Sequence, residues 1–371
     1  MEKRVLHITE KLQAAGIESF IMNMYRNINR KNVQFDFYVT RNENEFYDKE
    51  INQLGGKKFT SSIKNKSIIL KIIIESFYLY HFLRKHKYSI VHLHTCTPLR
   101  ILYLLAAKFA GVNTRIIHSH SAAISEKSKL KYFIYSLFRL LIKHSANYYF
   151  ACSEAAAQWM YNRSILQDKH YQVIYNGINT QDFAFDNITR STYRKALNIE
   201  DKFVICHTGR FLEQKNQSFL VELMEELIKI DNNVILLLIG TGYMEEQIKN
   251  MIKNKHLEKY IHCLGVRSDV SQLLQAADCY VMPSLYEGLP VAAVEAICAG
   301  LPCILSENIT KEVDICNNIP FISLNASKET WIAAIIKAKE WKRQDISVKV
   351  KEAGYDVHDV ANKLEQFYCL H

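Results

Sequence analysis

Between Ala277 and Cys303 the chain reads A-D-C-Y-V-M-P-S-L-Y-E-G-L-P-V-A-A-V-E-A-I-C-A-G-L-P-C. Two carboxylates, Glu287 and Glu295, stand eight positions apart, with Gly288, Leu289 and Pro290 between them. An apolar strand over 279–282 leads into this loop, and Pro290 suits a first helical position, where its missing N–H costs nothing. A helix start leaves N–H groups unpaired at the positive end of the helix dipole, so Gly288, Leu289 and Pro290 sit where an anion is welcome. Glu287 then lies in the loop and Glu295 in the second helical turn. Carboxylates repel phosphate but accept hydrogen bonds from sugar hydroxyls, so the arrangement suits a ligand carrying both, such as a nucleotide-activated sugar. Taken singly, Glu287 reads as a solvated loop residue and Glu295 as a charge on an amphipathic helix.

Other chemistry-bearing residues fall at strand ends. After a strand over 203–208 come Gly209 and Arg210, with Lys215 five positions on. A planar guanidinium and a point-charge ammonium around one strand-to-helix turn can converge on a diphosphate, the plain alternative being two unrelated surface cations. A second glycine turn, Gly240-Thr241-Gly242, follows the strand over 234–239. Gly16 stands alone after the first strand and is a weak phosphate-loop signal by itself. His92, His94, His118 and His120 lie toward the carboxyl ends of their strands, where parallel sheets bind ligands. Strand alternation turns His118 and His120 to the same side.

The string E-G-L-P-V-A-A-V-E-A resembles the E-x7-E signature of retaining glycosyltransferases of the GT-B fold, in the large family 4 group that builds bacterial surface polysaccharides. Further segments are similar to the family in order along essentially the whole chain. Ala15-Gly16-Ile17-Glu18 stands where members usually carry Gly-Gly-x-Glu, and Ala15 is a departure that narrows the space beside the phosphate. Ile116-Ile117-His118-Ser119-His120-Ser121 matches the strand whose histidine sits near the reacting sugar, which implies His120, with His118 as second choice. The resemblance implies that Arg210 and Lys215 act on the donor pyrophosphate and that backbone around Val266 and Arg267 meets the nucleobase. It further implies Glu295 on the ribose hydroxyls and Glu287 on the donor sugar or its loop. No cofactor or metal is expected. The donor is a UDP-sugar by analogy, and the acceptor a lipid-linked saccharide.

The elements that must position these groups alternate. Strands are expected over 5–9, 35–40, 89–94, 114–120, 148–152, 203–208, 234–239, 279–282 and 301–305, with helices between them, including 68–87, 99–110 and 218–230. That pattern predicts an α/β protein of two Rossmann-like domains with a cleft between them. Val173-Ile-Tyr-Asn-Gly-Ile-Asn179 marks the boundary, giving an acceptor-side domain over 1–179 and a donor-binding domain over 180–354. A last helix, with Val357, Val360, Ala361, Leu364 and Phe367 at helical spacing, is expected to return to the first domain over 355–371.

Composition narrows the partners. A chain of 371 residues with a 49% hydrophobic fraction holds two ordinary domains. No apolar run reaches the length of a spanning helix, and Met1-Glu-Lys-Arg-Val-Leu-His runs directly into a strand pattern, which predicts a cytoplasmic protein. Nine cysteines lack a Cys-x-x-Cys pair and suit buried reduced thiols. Residues 1–178 hold 26 Lys and Arg against 12 Asp and Glu, the remainder 21 against 26. A basic first half faces something anionic. Basic, aromatic helices over 68–87 and 127–143 fit an anionic membrane surface, or are ordinary surface helices with one face on the core. An NAD-dependent oxidoreductase would need a Gly-x-Gly-x-x-Gly turn that Gln13 to Glu18 does not supply. No nucleic-acid reader motif accompanies the charge. A noncatalytic scaffold of the same fold is the remaining rival.

Overall fold

The computed structural model describes residues 3–13, 16–41, 45–61, 63, 67–120 and 129–371. The chain forms two compact units, Met1–Gly177 together with Val357–His371, and Ile178–Asp356.

In the first unit the described residues form a parallel sheet from β1 (Lys3–Thr9), β2 (Val33–Val39), β3 (Lys58–Thr60), β4 (Ile90–Thr95), β5 (Thr114–Ser119), β6 (Tyr148–Ala151) and β7 (Tyr171–Val173). Their order is β3-β2-β1-β4-β5-β6-β7, so the winding reverses between β1 and β4. One face packs the core around Phe20, Phe35, Phe37, Phe150 and Tyr368, supplied by the helices Gly16–Asn27 and Val357–Leu370. The last helix therefore belongs to this unit. The other face packs Leu79, Leu83, Ile101, Leu104 and Ile142 from the helices Ile68–His86, Ile101–Phe109 and Lys129–Ser145. Both faces being covered, β2 and β4 are buried along their whole length, the polar Asp36, His92 and His94 included. Helix ends follow local rules. The Ser67 hydroxyl accepts from Leu70 N–H at the start of one helix, and Ser153 accepts from Ala156 N–H at another.

The second unit has a parallel sheet of β8 (Phe203–Thr208), β9 (Val234–Ile239), β10 (Ile261–Gly265), β11 (Cys279–Met282), β12 (Cys303–Ser306) and β13 (Phe321–Ile322), ordered β10-β9-β8-β11-β12-β13. Its reversal lies between β8 and β11, the strands preceding Arg210 and Glu287. β12 begins two residues later than the sequence suggested, because Pro302 has no N–H to give a ladder; its carbonyl instead accepts from Tyr280 N–H. All nine cysteines are free.

Candidate active site

At the reversal point of the second sheet, the loops after β8 and β11 follow neighbouring strands at their carboxyl ends, the place where parallel sheets bind ligands. His207, buried on β8, pairs its Nδ1 with the Val281 carbonyl on β11 at 2.9 Å. That contact makes Nδ1 the donor and leaves Nε2 as acceptor for Gln217 Nε2 at 3.5 Å. Burial pushes the His207 pKa down to about 4, so the ring is neutral. Gln217 Nε2 also donates to the Arg210 carbonyl at 3.0 Å. The Arg210 backbone is thus held from beneath, while its side chain is exposed and meets no partner among the described residues.

Three hydrogen bonds stitch the two loops together. Gln214 Nε2 donates to the Tyr286 carbonyl at 2.8 Å, Leu285 N–H to the Gln214 carbonyl at 2.8 Å, and Asn216 Nδ2 to the Pro283 carbonyl at 3.2 Å. Asn216, at φ 56°, closes the short turn Glu213–Lys215; Asn tolerates this left-handed conformation better than most residues. Lys215 lies along Gly209, where an added Cβ would stand 3.3 Å from its Cδ and Cε. Its Nζ reaches 2.6 Å from Glu287 Oε1, both side chains being largely buried. The contact is an ion pair by distance, while Oε1 lacks a partner in hydrogen-bond geometry. Arg210 is therefore the open cation of the pair read from the sequence, and Lys215 the one already neutralised.

Pro290 is the N-cap rather than the first helical residue: at ψ 99° it is extended, and the helix Val291–Cys298 begins after it. Among the described residues, the N–H groups of Gly288, Leu289, Val291 and Ala292 donate to no backbone carbonyl. This is the unpaired amide cluster expected of an anion site. Glu295, fifth in the helix, is half-buried, and no cation or donor meets its side chain among the described residues. Burial alone pushes its carboxyl up to about 7.

Neighbouring turns complete the rim. Gly240 has φ +135°, and a Cβ there would fall 2.1 Å from the Gly209 carbonyl oxygen, so only glycine lets the two turns touch. Val266 is exposed after Gly265. Arg267 forks onto Asp269 at 2.7 and 2.5 Å, and Tyr193 donates to the same carboxylate at 3.2 Å. The Arg267 guanidinium is thus engaged, while the Val266 side chain beside it meets no partner among the described residues.

In the first unit, five imidazoles line one face of the sheet at its reversal point: His7 on β1, His92 and His94 on β4, His118 and His120 at the end of β5. His7 Nδ1 lies 2.9 Å from His94 Nε2, and His94 Nδ1 2.9 Å from His120 Nε2. A second row links the Tyr368 hydroxyl to His92 Nδ1 at 2.6 Å and His92 Nε2 to His118 Nδ1 at 3.2 Å. The rings of His118 and His120 stack at 4.1 Å, as their spacing of two requires. Burial drives all five pKa values down, to about 3 for His7 and His120, so the rings are neutral. Sequence reasoning found the four paired histidines but not His7, whose only signal is its place on the strand that neighbours β4. Gly16 opens its helix with open space around its Cα, so no steric demand for glycine acts there. Ala15 and Lys127 lie outside the described residues.

Two family models cover the chain in tandem: Glycosyltransferase Family 4 matches residues 14–182, and Glycosyl transferases group 1 matches residues 189–355. The chain is 32% identical to the Bacillus subtilis protein EpsF, named a glycosyltransferase, over 100% of its own length and 97% of that protein. It is 31% identical to the Escherichia coli UDP-Gal:alpha-D-GlcNAc-diphosphoundecaprenol alpha-1,3-galactosyltransferase over 62% of this chain and 60% of that one. Among solved structures, Anabaena HepE in complex with UDP superimposes with a TM-score of 0.76 over 99% of both chains at 18% identity.

Proposed function

The chain belongs to the glycosyltransferases with two Rossmann-like domains of the GT-B kind, and from that premise we propose that it moves a hexose or N-acetylhexosamine from a UDP-sugar to a hydroxyl of a lipid-linked saccharide. The observation that carries this reading is the start of the helix at Val291, whose unpaired N–H groups follow the Lys215–Glu287 pair on a loop hydrogen-bonded to the one that carries Arg210 and Lys215. A diphosphate bound there receives charge compensation from preorganised donors, without a metal, as its bond to the sugar breaks. Glu295 accepts from the ribose hydroxyls, Glu287 steadies the donor sugar loop, and His120 meets the sugar hydroxyls near the reacting carbon. The anomeric C–O bond to phosphate breaks, the acceptor oxygen bonds to the same carbon on the same face, and the acceptor proton passes to the leaving diphosphate. Configuration is retained.

UDP in the HepE complex and the diphosphoundecaprenol in the name of the E. coli relative support the donor and acceptor classes. No helix among the described residues is long and apolar enough to cross a membrane. A lipid-linked acceptor is instead met at the surface, by exposed Ile73, Phe77 and Tyr78 on the helix Ile68–His86 and by Leu130, Tyr132, Phe133, Leu137 and Leu140 on the helix Lys129–Ser145. Lys85, Lys87 and Lys143 are exposed on or beside the same helices and suit the anionic inner face of a bacterial plasma membrane. The role that follows is capsule or exopolysaccharide assembly. A thermal-shift panel tests the donor class: UDP should raise Tm, while GDP and NAD leave it unchanged. A shift with NAD and none with UDP overturns the proposal.

A further inference from the structure

We propose that His7 and His94 are positioning residues that fix which proton His120 presents to its substrate, an inference that rests on the reading of His120 as the histidine facing the sugar. A neutral imidazole carries one N–H and one bare nitrogen, so a ring with hydrogen bonds on both nitrogens must donate through one and accept through the other. His94 is such a ring, with His7 Nδ1 and His120 Nε2 each at 2.9 Å. The three rings therefore have two self-consistent states. Either every N–H points from His7 toward His120, or every N–H points back.

The far end decides between them. His7 Nε2 is buried without a partner among the described residues, and its ring packs against Phe35 at 3.9 Å between centroids. In one state that nitrogen carries a proton with no acceptor; in the other it is bare. The bare state of His7 puts the unpartnered proton on His120 Nδ1 instead, and a proton without an acceptor costs less on His120, a half-buried ring at the carboxyl end of its strand, than on His7, which is 2% exposed. The chain accordingly runs from His7 Nδ1–H to His94 Nε2, then from His94 Nδ1–H to His120 Nε2. His120 is left with a proton on Nδ1, which also has no partner among the described residues and which a sugar or phosphate oxygen would satisfy. The second row, Tyr368–His92–His118, stacks on the first at 4.2 Å (His92 on His94) and 4.1 Å (His118 on His120) and holds its rings in place. A shared metal ion fits these contacts less well. Two nitrogens bound tetrahedrally to one zinc at about 2.0–2.1 Å stand roughly 3.3 Å apart, and both contacts are at the shorter distance of a hydrogen bond.

The test reads protons directly. In the full chain with 15N-labelled histidine and no sugar present, long-range proton–nitrogen NMR should show His7, His94 and His120 all protonated on Nδ1, the minor tautomer of free imidazole. His7→Phe removes the terminal donor and should release His120 to a mixture of tautomers, with kcat lower by at least about tenfold and donor KM little changed. His7→Asn retains an N–H donor near the position of Nδ1 and should restore the single tautomer. An Nε2-protonated His120 in the unmodified chain overturns the proposal, as does a His120 spectrum indifferent to both variants. If His7→Phe fails to fold, the unmodified spectrum and His7→Asn still decide. Because the readout needs no substrate, a wrong proton pattern leaves the transferase reading standing, and a failed transferase assay leaves the proton pattern measurable.

Discussion

Lys215 Nζ stands 2.6 Å from Glu287 Oε1, whereas Arg210, five residues before Lys215, is exposed with no partner among the described residues. The two cations should therefore respond differently to removal. Arg210→Ala takes away a charge that nothing among the described residues relies on, so kcat should fall about 10²–10³-fold with Tm unchanged. Lys215→Ala also strands the Glu287 carboxylate in a largely buried place, which costs on the order of 3 kcal/mol. Both kcat and Tm should drop. Parallel melts and initial rates check the pair; equal Tm losses from the two variants would remove the distinction.

Glu295 carries a pKa pushed up to about 7 by burial alone. Ribose hydroxyls donate more strongly to the ionised carboxylate than to the acid. Binding of a UDP-sugar, whose diphosphate diester does not titrate in this range, should weaken as pH falls through 7. The limiting slope is about a tenfold rise in Kd per pH unit. Stability depends on pH with the opposite sign: a carboxyl raised from 4.5 toward 7 on folding favours the folded state at low pH, and that contribution is lost as pH rises across this window. Calorimetric titrations of the unmodified chain and Glu295→Gln between pH 5.5 and 8 test the binding claim, the variant being expected to bind with a flat pH profile.

Much of this site could be read from residue types because its signals are local. A glycine and a proline before an apolar helix announce a helix start, and histidines spaced by two on a strand share a face. What escaped is long-range. Lys215 and Glu287 are 72 positions apart and meet because β8 lies beside β11; His7 joins His94 because β1 lies beside β4. Strand order is a property of the packed sheet, and no residue near Lys215 or His7 encodes it. The Pro290 boundary moved by one residue for a smaller reason, since proline's fixed φ suits an extended cap as well as a first helical turn.

Gly240 sits at φ +135°, and a Cβ there would come within 2.1 Å of the Gly209 carbonyl. Backbone cannot yield as a flexible side chain does. Gly240→Ala should destabilise the protein by roughly 2 kcal/mol or more and displace Gly209, so that UDP affinity falls with it. Gly16→Ala, where an added Cβ meets open space, should leave Tm within about 1 °C, a change expected of surface substitutions. Differential scanning calorimetry on both variants checks the contrast.

The exposed apolar side chains of the helix Lys129–Ser145 should bind vesicles through both area and charge. Replacing Phe133 and Leu137 by Ser removes apolar contact, while Lys143→Glu reverses a charge. Each change should reduce co-sedimentation with vesicles containing anionic lipid by about fivefold or more, and added salt should weaken the residual binding. Equal recovery on neutral and anionic vesicles would exclude the electrostatic part.

The histidine rows make the first unit sensitive to acid. His7 and His120 titrate near 3 in the folded chain against 6.5 when exposed, because burial penalises the imidazolium. Below pH 6.5 the unfolded chain binds more protons than the folded one, so stability falls as pH drops from 6.5 toward 3 and is fully present above 6.5. Each such ring contributes a slope of about 1.4 kcal/mol per pH unit once well below 6.5. Urea midpoints should therefore decrease steadily from pH 7 to pH 5. His7→Phe, which keeps an aromatic ring against Phe35 but cannot titrate, should show a shallower decline by about one such increment. An unchanged midpoint over that range in the unmodified chain would mean that the rings are not neutral because of burial, and the same slope in the variant would remove His7 from the set.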